Sequence, residues 1–166
     1  MLLHKGEVLF RQGETGSLYH LKSGMLKIVR VHQNGSELLM NIIVPGETIP
    51  HHSLISQNPY HGTAVAIVTS EVEPIPAEEW YGKLERNPEK YREVALLLQQ
   101  KLRMMQQRMD HLTTISPSDR LSMFQNWFAE YIQEVPVSDV LTQEEIGQWI
   151  GIRRETVNRL LKKHSL

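Results

Sequence analysis

The chain has 166 residues, a net charge of −1, 40% hydrophobic residues and no cysteine. The missing cysteines exclude disulfides, thiolate-held iron–sulfur clusters and cysteine-based zinc sites, and they fit a reducing cytosol. A pI near 6.7 excludes a globally basic surface, so any nucleic-acid contact has to be local.

The start, MLLHKGEVLF, lacks the long apolar core of a secretory signal. No apolar run approaches the ~20 residues of a membrane-spanning helix. Residues 1 to about 80 read as β-rich. Short apolar runs (8–10, 18–21, 26–31, 38–44) are separated by turns at Gly13 and Gly16, Gly24, and Asn34-Gly35, with Gly46 after the last. Asn34-Gly35 between two such runs is the strongest hairpin signal in the chain. Residues 63–70, TAVAIVTS, read as a further strand. Turn signals at this spacing predict a small barrel or sandwich.

Residues 77–86 predict a short helix, broken near Asn87-Pro88. A long helix is predicted from about Glu89 to Leu112. Tyr91, Leu98, Met105 and Leu112 form one row on it, and Ala95, Leu102 and Met109 a second. That 4-3 alternation is a heptad seam. Packing on its own chain is the competing reading, since methionine stripes are usually core. More than three sustained heptads favour pairing with a second copy. Ser116-Pro117 predicts a break and a new helix start, with Ser116 as cap and Pro at N1. That helix, 117 to about 133, carries Leu121, Phe124, Trp127, Phe128 and Tyr131 as a core face. Val135-Pro136-Val137 is a short connection.

Residues 142–163, TQEEIGQWIGIRRETVNRLLKK, read as a helix-turn-helix. Thr142 and Glu145 are spaced as a capping box. Gly147 is small where a second helix crosses. Gly151 supplies the positive φ of a tight turn. Val157, Leu160 and Leu161 form the buried stripe of the second helix. Its other face carries Arg153, Arg154, Glu155, Asn158 and Arg159. From Arg153 to Lys163, five basic residues stand against one acidic residue, a net +4. A plain charged surface helix is the competing reading. The glycines, the capping box and the apolar stripe at one spacing favour DNA reading. Arginine pairs with the guanine edge and glutamate accepts from the cytosine amino group.

The segments GEVLFRQGETGSLYHLKSG (6–24) and LTQEEIGQWIGIRRETVNRLLK (141–162) make this chain resemble the cAMP receptor protein/FNR family of bacterial transcription regulators, over essentially its whole length. The resemblance implies an α+β chain: a cyclic-nucleotide-binding-type β-roll with a short helix (1–88), a dimerisation helix (89–115) and a helix-turn-helix DNA-binding domain (116–166). It implies a cytoplasmic homodimer acting on double-stranded DNA, with RNA polymerase as a further partner. The implied dimer interface is Tyr91, Ala95, Leu98, Leu102, Met105, Met109 and Leu112. Arg154, Glu155 and Arg159 match base-contacting positions, which implies a palindrome with TGTGA-like half-sites. Thr142, Gln143, Arg153, Thr156, Asn158, Lys162 and Lys163 are expected at the DNA backbone.

Two departures from the family pattern stand out. The cAMP-binding members hold the ribose with a Gly-Glu pair and the phosphate with an Arg-Ser/Thr pair. Here those regions read Ile49-Pro50-His51-His52 and His61-Gly62-Thr63-Ala64. A buried cyclic phosphate needs a paired cation, so cAMP is not the expected effector. Second, the chain stops at Leu166, where relatives continue into a β-hairpin wing. The alternative expectation is therefore an effector-binding or interaction dimer whose shortened DNA module no longer binds DNA usefully.

His51, His52, His61 and Thr63 are the candidate effector-pocket residues. The histidines could hold a metal or haem, meet an anion or sense pH, or be polar surface; no metal site is expected. Adjacent histidines in a regular strand point to opposite faces, whereas a turn after Pro50 would let them converge. His4, His20, His32, His111 and His164 are isolated. No catalytic motif is present: no Gly-x-Ser-x-Gly, P-loop, His-Glu-x-x-His or dinucleotide fingerprint. The pairs Glu78-Glu79 and Glu144-Glu145 diverge on predicted helices. An enzyme is not expected.

Overall fold

The computed structural model describes residues 1–114, 116–133 and 135–164, without the side chains at 114, 163 and 164. Eight strands come first: β1 Leu2–Leu3, β2 Val8–Phe10, β3 Leu18–Ser23, β4 Leu26–Val31, β5 Glu37–Ile43, β6 Thr48–Ile49, β7 Thr63–Ala66 and β8 Ser70–Ile75. They make two antiparallel four-stranded sheets, ordered β1-β8-β3-β6 and β2-β7-β4-β5. Buried residues of both sheets, among them Phe10, Leu21, Leu26, Ile43 and Val72, pack together as the core of the roll. The hairpin at Asn34-Gly35 forms between β4 and β5: the His32 amide donates to the Ser36 carbonyl, and Asn34 Oδ1 accepts from the Ser36 amide.

One predicted strand is corrected. TAVAIVTS is not continuous. It leaves the β2-β7-β4-β5 sheet after Ala66 and enters the other as β8 at Ser70. The Ile67 amide donates to Met25 O, and the buried Ser70 Oγ donates to Val68 O, so the chain crosses between sheets there. β1, β6 and the Glu71 to Ile75 part of β8 were not predicted. They are short or charge-interrupted, and neighbouring strands hold them rather than an apolar pattern.

Among the described residues six helices follow: α1 Ala77–Arg86, α2 Pro88–Thr114, α3 Pro117–Tyr131, α4 Val137–Val140, α5 Gln143–Ile150 and α6 Arg154–His164. Ser116 caps α3 through the Asp119 amide, with Pro117 in its first turn. Leu121, Phe124 and Phe128 are buried as expected, whereas Trp127 is half-buried and Tyr131 is exposed. α1 and the first turns of α2 close one end of the roll through Leu18, Leu54, Trp80, Leu84 and Val94. The other cluster joins the roll to the last helices. Met25, Leu39, Ile42, Val44 and Ile67 pack with Phe124, Phe128, Val137, Ile146, Ile150 and Val157. The helix-turn-helix thus sits directly on one sheet.

Candidate nucleic-acid interface and effector pocket

The capping box forms as read. Thr142 Oγ1 accepts from the Glu145 amide at 3.1 Å, and Glu145 Oε2 accepts from the Thr142 amide at 2.9 Å. Gly151 ends α5 at φ +68°. A Cβ at Gly147 would lie 2.6 Å from the Ile152 carbonyl oxygen, so only glycine lets the turn pass this close. The Ile152 amide completes the turn by donating to Gly147 O at 3.0 Å. Val157 is fully buried and Leu160 and Leu161 pack around it, which fixes the roll angle of α6. Arg154, Glu155, Asn158, Arg159 and Lys162 then fall within about 140° of helix circumference. Of these, Asn158 is half-buried and the others exposed. Arg153 and Thr142 are exposed too, while Gln143 and Thr156 are half-buried. Among the described residues, the side chains of Arg154, Glu155 and Arg159 make no hydrogen bond or ion pair. The side chain of Lys163 lies outside the described residues.

Contacts that sequence reasoning missed tie α5 to the roll. Gln148 Oε1 accepts from the Leu39 amide at 2.7 Å, and its Nε2 donates to Glu37 O at 2.9 Å. One side-chain amide thus pairs with edge strand β5 as a neighbouring strand would. Lys27 Nζ on β4 reaches Glu145 Oε1 at 2.5 Å. Arg108 on α2 lies 3.8 Å over the Trp149 ring, and its Nε donates to Trp149 O at 3.1 Å. Arg120 Nη1 donates to Leu112 O, Ile150 O and Gly151 O, joining the end of α2 to the turn of the motif. These contacts join residues of β4, β5, α2, α3 and α5, and no local signal marks them.

His51–Ser53 is a single 3-10 turn after Pro50, the non-strand arrangement that would let adjacent histidines converge. They do not. His51 Nε2 donates to Glu47 Oε2 at 2.8 Å. His52 Nε2 donates to Pro59 O at 3.0 Å, and its ring centroid is 5.7 Å from that of His61. Among the described residues no three His, Cys, Asp or Glu side chains converge as a metal site requires. Glu47 also takes Lys101 Nζ from α2 at 2.8 and 3.0 Å. Burial works to raise the Glu47 carboxyl, but the His51 hydrogen bond and the Lys101 ammonium outweigh it and hold it below its usual value.

At the second region, a Cβ on Gly62 would stand 2.8 Å from Ile28 Cγ2 and 2.9 Å from Val29 O. β4 passes too close for any side chain there. A cation does reach this rim, from β4: Arg30 Nη1 is 2.6 Å from His61 Nε2. Guanidinium only donates, so His61 accepts and is neutral. Burial and the neighbouring Arg30 and His52 hold its pKa below the ordinary histidine value. Arg30 was legible in principle, since it shares the strand face of Leu26 and Ile28 by period-two alternation. Thr63 Oγ1 accepts from the Gln12 amide at 3.1 Å. His51, His52 and His61 line one end of a cavity of about 710 Å³.

The long helix shows a divided seam. Leu102, Met105 and Met109 are 57%, 58% and 66% exposed, and Tyr91 and Ala95 are exposed beside them. Leu98 and Leu112 are half-buried against their own chain. Leu98 packs by Trp80 and Leu84, and Leu112 faces Gly151.

A roll of two antiparallel sheets, a long helix and a helix-turn-helix with an exposed basic face are the architecture of a transcription regulator. Comparison with known proteins agrees. The cyclic nucleotide-binding domain model matches residues 1–87, and that of the bacterial regulatory proteins, crp family, matches residues 140–164. The chain belongs to the cAMP receptor protein/FNR family of transcription regulators, which are not enzymes. It is 28% identical to the transcriptional activator protein Anr of Pseudomonas aeruginosa, over 97% of this chain and 68% of that protein. It is 26% identical to the cyclic AMP receptor protein of Thermus thermophilus, over 96% of this chain and 74% of that protein. In fold it is similar to a CRP-family transcriptional regulator from Thermus thermophilus, with a TM-score of 0.77 at 21% identity, covering 98% and 83% of the two chains. It is also similar to the c-di-GMP responsive regulator CLP of Xanthomonas campestris, with a TM-score of 0.74 at 18% identity, covering 99% and 85%. Among the described residues, no helix is long and apolar enough to cross a membrane.

Proposed function

We propose that two copies of this chain, paired along α2, bind a palindromic DNA site through α6 and answer to an effector other than cAMP. The free face of α6 carries the reading. Arg154, Glu155 and Arg159 stand exposed, and unpaired among the described residues, on a helix whose rotation Val157 fixes. Arg154 and Arg159 read guanines, and Glu155 accepts from a cytosine amino group. Thr142, Gln143, Arg153, Thr156, Asn158, Lys162 and Lys163 serve the phosphates. Half-sites are TGTGA-like, with centres about 34–36 Å apart. Promoter-bound RNA polymerase is the further partner. The tight approach of β4 to Gly62 supports the exclusion of cAMP, because the phosphate-binding arginine has no room there. The effector instead meets His51, His52 and His61.

Selection of bound sites from random duplexes by the purified protein tests this reading. A two-fold symmetric consensus is the expected result. Folded dimeric protein that returns no base preference would overturn it, in favour of an effector-binding dimer without useful DNA affinity.

A further inference from the structure

The cavity does not end at the histidines. It runs along α2 past Lys101, Met104 and Arg108 to Met123, Phe124 and Trp127 of α3 and to Trp149 of α5. Its volume of about 710 Å³ lies in the range of small-molecule sites, which favour contacts between structural units. The far end is aromatic. Phe124 and Trp127 stack at 6.0 Å and 21°, and Trp127 and Trp149 at 6.0 Å and 20°. Phe124 and Trp149 are tilted to each other by 35° at 5.9 Å, so Trp127, near-parallel to both, is the ring that offers a flat partner offset stacking. Met104 and Met123 add soft, adaptable walls. Lys101, Arg108 and Arg120 line the cavity, Lys101 being already paired with Glu47, and Glu130 is the acidic side chain among its described lining residues. Arg120 spends Nη1 on three carbonyls, and its enclosed Nε has no acceptor among the described residues. A buried donor without an acceptor is the group an anionic ligand would satisfy.

We infer that this far end is a second ligand site, and that its ligand is a flat apolar molecule carrying an anionic acceptor, in class an aromatic carboxylate. The site shares one continuous cavity with the histidines but lies at its other end, and it does not rest on the effector or DNA reading. Its occupant would touch the roll through Met40, α2 through Met104 and the helix-turn-helix through Trp149 at once. Binding there bears directly on how the DNA-reading unit sits on the roll.

The test uses the whole chain with 2-naphthoate as probe and neutral naphthalene as its comparison. Calorimetry should give one 2-naphthoate site per protomer. Tryptophan fluorescence should be quenched in the Trp80→Phe variant as in wild type, since Trp127 and Trp149 report the site. Naphthalene should bind at least about tenfold more weakly, and Met123→Trp, which fills the cavity, should cost at least about tenfold in affinity. Met123 is partly exposed; if its variant does not fold, Met104→Trp serves as the plug. His52→Ala should leave affinity within about twofold. No saturable binding, wild-type affinity in the folded plug variant, or loss in His52→Ala instead would each overturn the site.

Discussion

Glu155 concentrates the proposed specificity. It stands exposed beside Arg154 on α6 with no partner among the described residues. Glu155→Ala should relax discrimination at one base pair by about 1–3 kcal/mol and leave the other positions intact. Competition binding with single-base-pair variants of the selected site measures this, and a uniform loss at all positions would contradict base contact. Glu47 carries a different load. Its carboxyl is held below its ordinary value of 4.5 by His51 and Lys101 against the opposing pull of burial. The folded state therefore binds this proton less readily than the unfolded chain. The stability it contributes is present above that ordinary value and is lost as pH falls through the lower, folded one. Glu47→Gln should melt below wild type near pH 7, and the two melting curves should converge as pH falls below the ordinary carboxylate value. A constant gap across the series would show that ionisation is not what the site supplies.

α5 and α6 are held by their connection as much as by their faces. Gly151 adopts φ +68°, and a Cβ there would meet Leu112 Cδ2 at 2.8 Å and Arg120 Nη1 at 3.2 Å. Gly151→Ala combines backbone strain with a clash against the end of α2. It should cost at least about 1–3 kcal/mol, read as a lower denaturant midpoint with an unchanged slope. The long helix makes the second prediction. Leu102, Met105 and Met109 leave an apolar ridge in water, and hydrophobic contact with a second copy would cover it. Leu102→Glu places a charge there, whose burial without a partner costs several kcal/mol. Light scattering should then give a monomer. A variant that stays dimeric at low micromolar concentration would remove α2 from the interface.

Roll and helix-turn-helix share a core, so the orientation of α6 is set at their contact. Ile42 and Leu39 on β5 meet Ile146 and Ile150 on α5 within one buried cluster. Gln148 adds two hydrogen bonds to the β5 edge, and Lys27 pairs with Glu145. Both donor and acceptor of the edge strand are satisfied by one side chain, and removal of that side chain leaves them unpaired. Gln148→Ala should expose the Leu39 amide, whose hydrogen exchange should speed up while amides at the centre of the roll keep wild-type rates. Unchanged protection at Leu39 would mean the apolar contact alone holds the two parts together.

The elements with strong local signals were legible from residues alone. The capping box, Gly147, Gly151 and the Val157 stripe gave both helices of the DNA-reading motif, and the heptad pattern gave the long helix. Asn34-Gly35 gave the central hairpin, because a turn type and a period are properties of neighbours in sequence. The break after Ala66 was hidden, since a strand that changes sheets keeps its apolar composition. Arg30 beside His61, the Glu47 bridge between His51 and Lys101, and the Gln148 clasp were equally hidden. Each joins groups far apart along the chain, where no spacing records the contact. Leu98 and Leu112 read as seam residues by period, yet neighbouring helices draw them partly inward. The sequence by itself determined the longer strands and helices and which side chains α6 carries, because those follow from local sterics and periodicity. Only tertiary packing decided where the histidines point, what fills the space at Gly62 and how the helix-turn-helix seats on the roll, because long-range burial and pairing choose among locally equivalent arrangements.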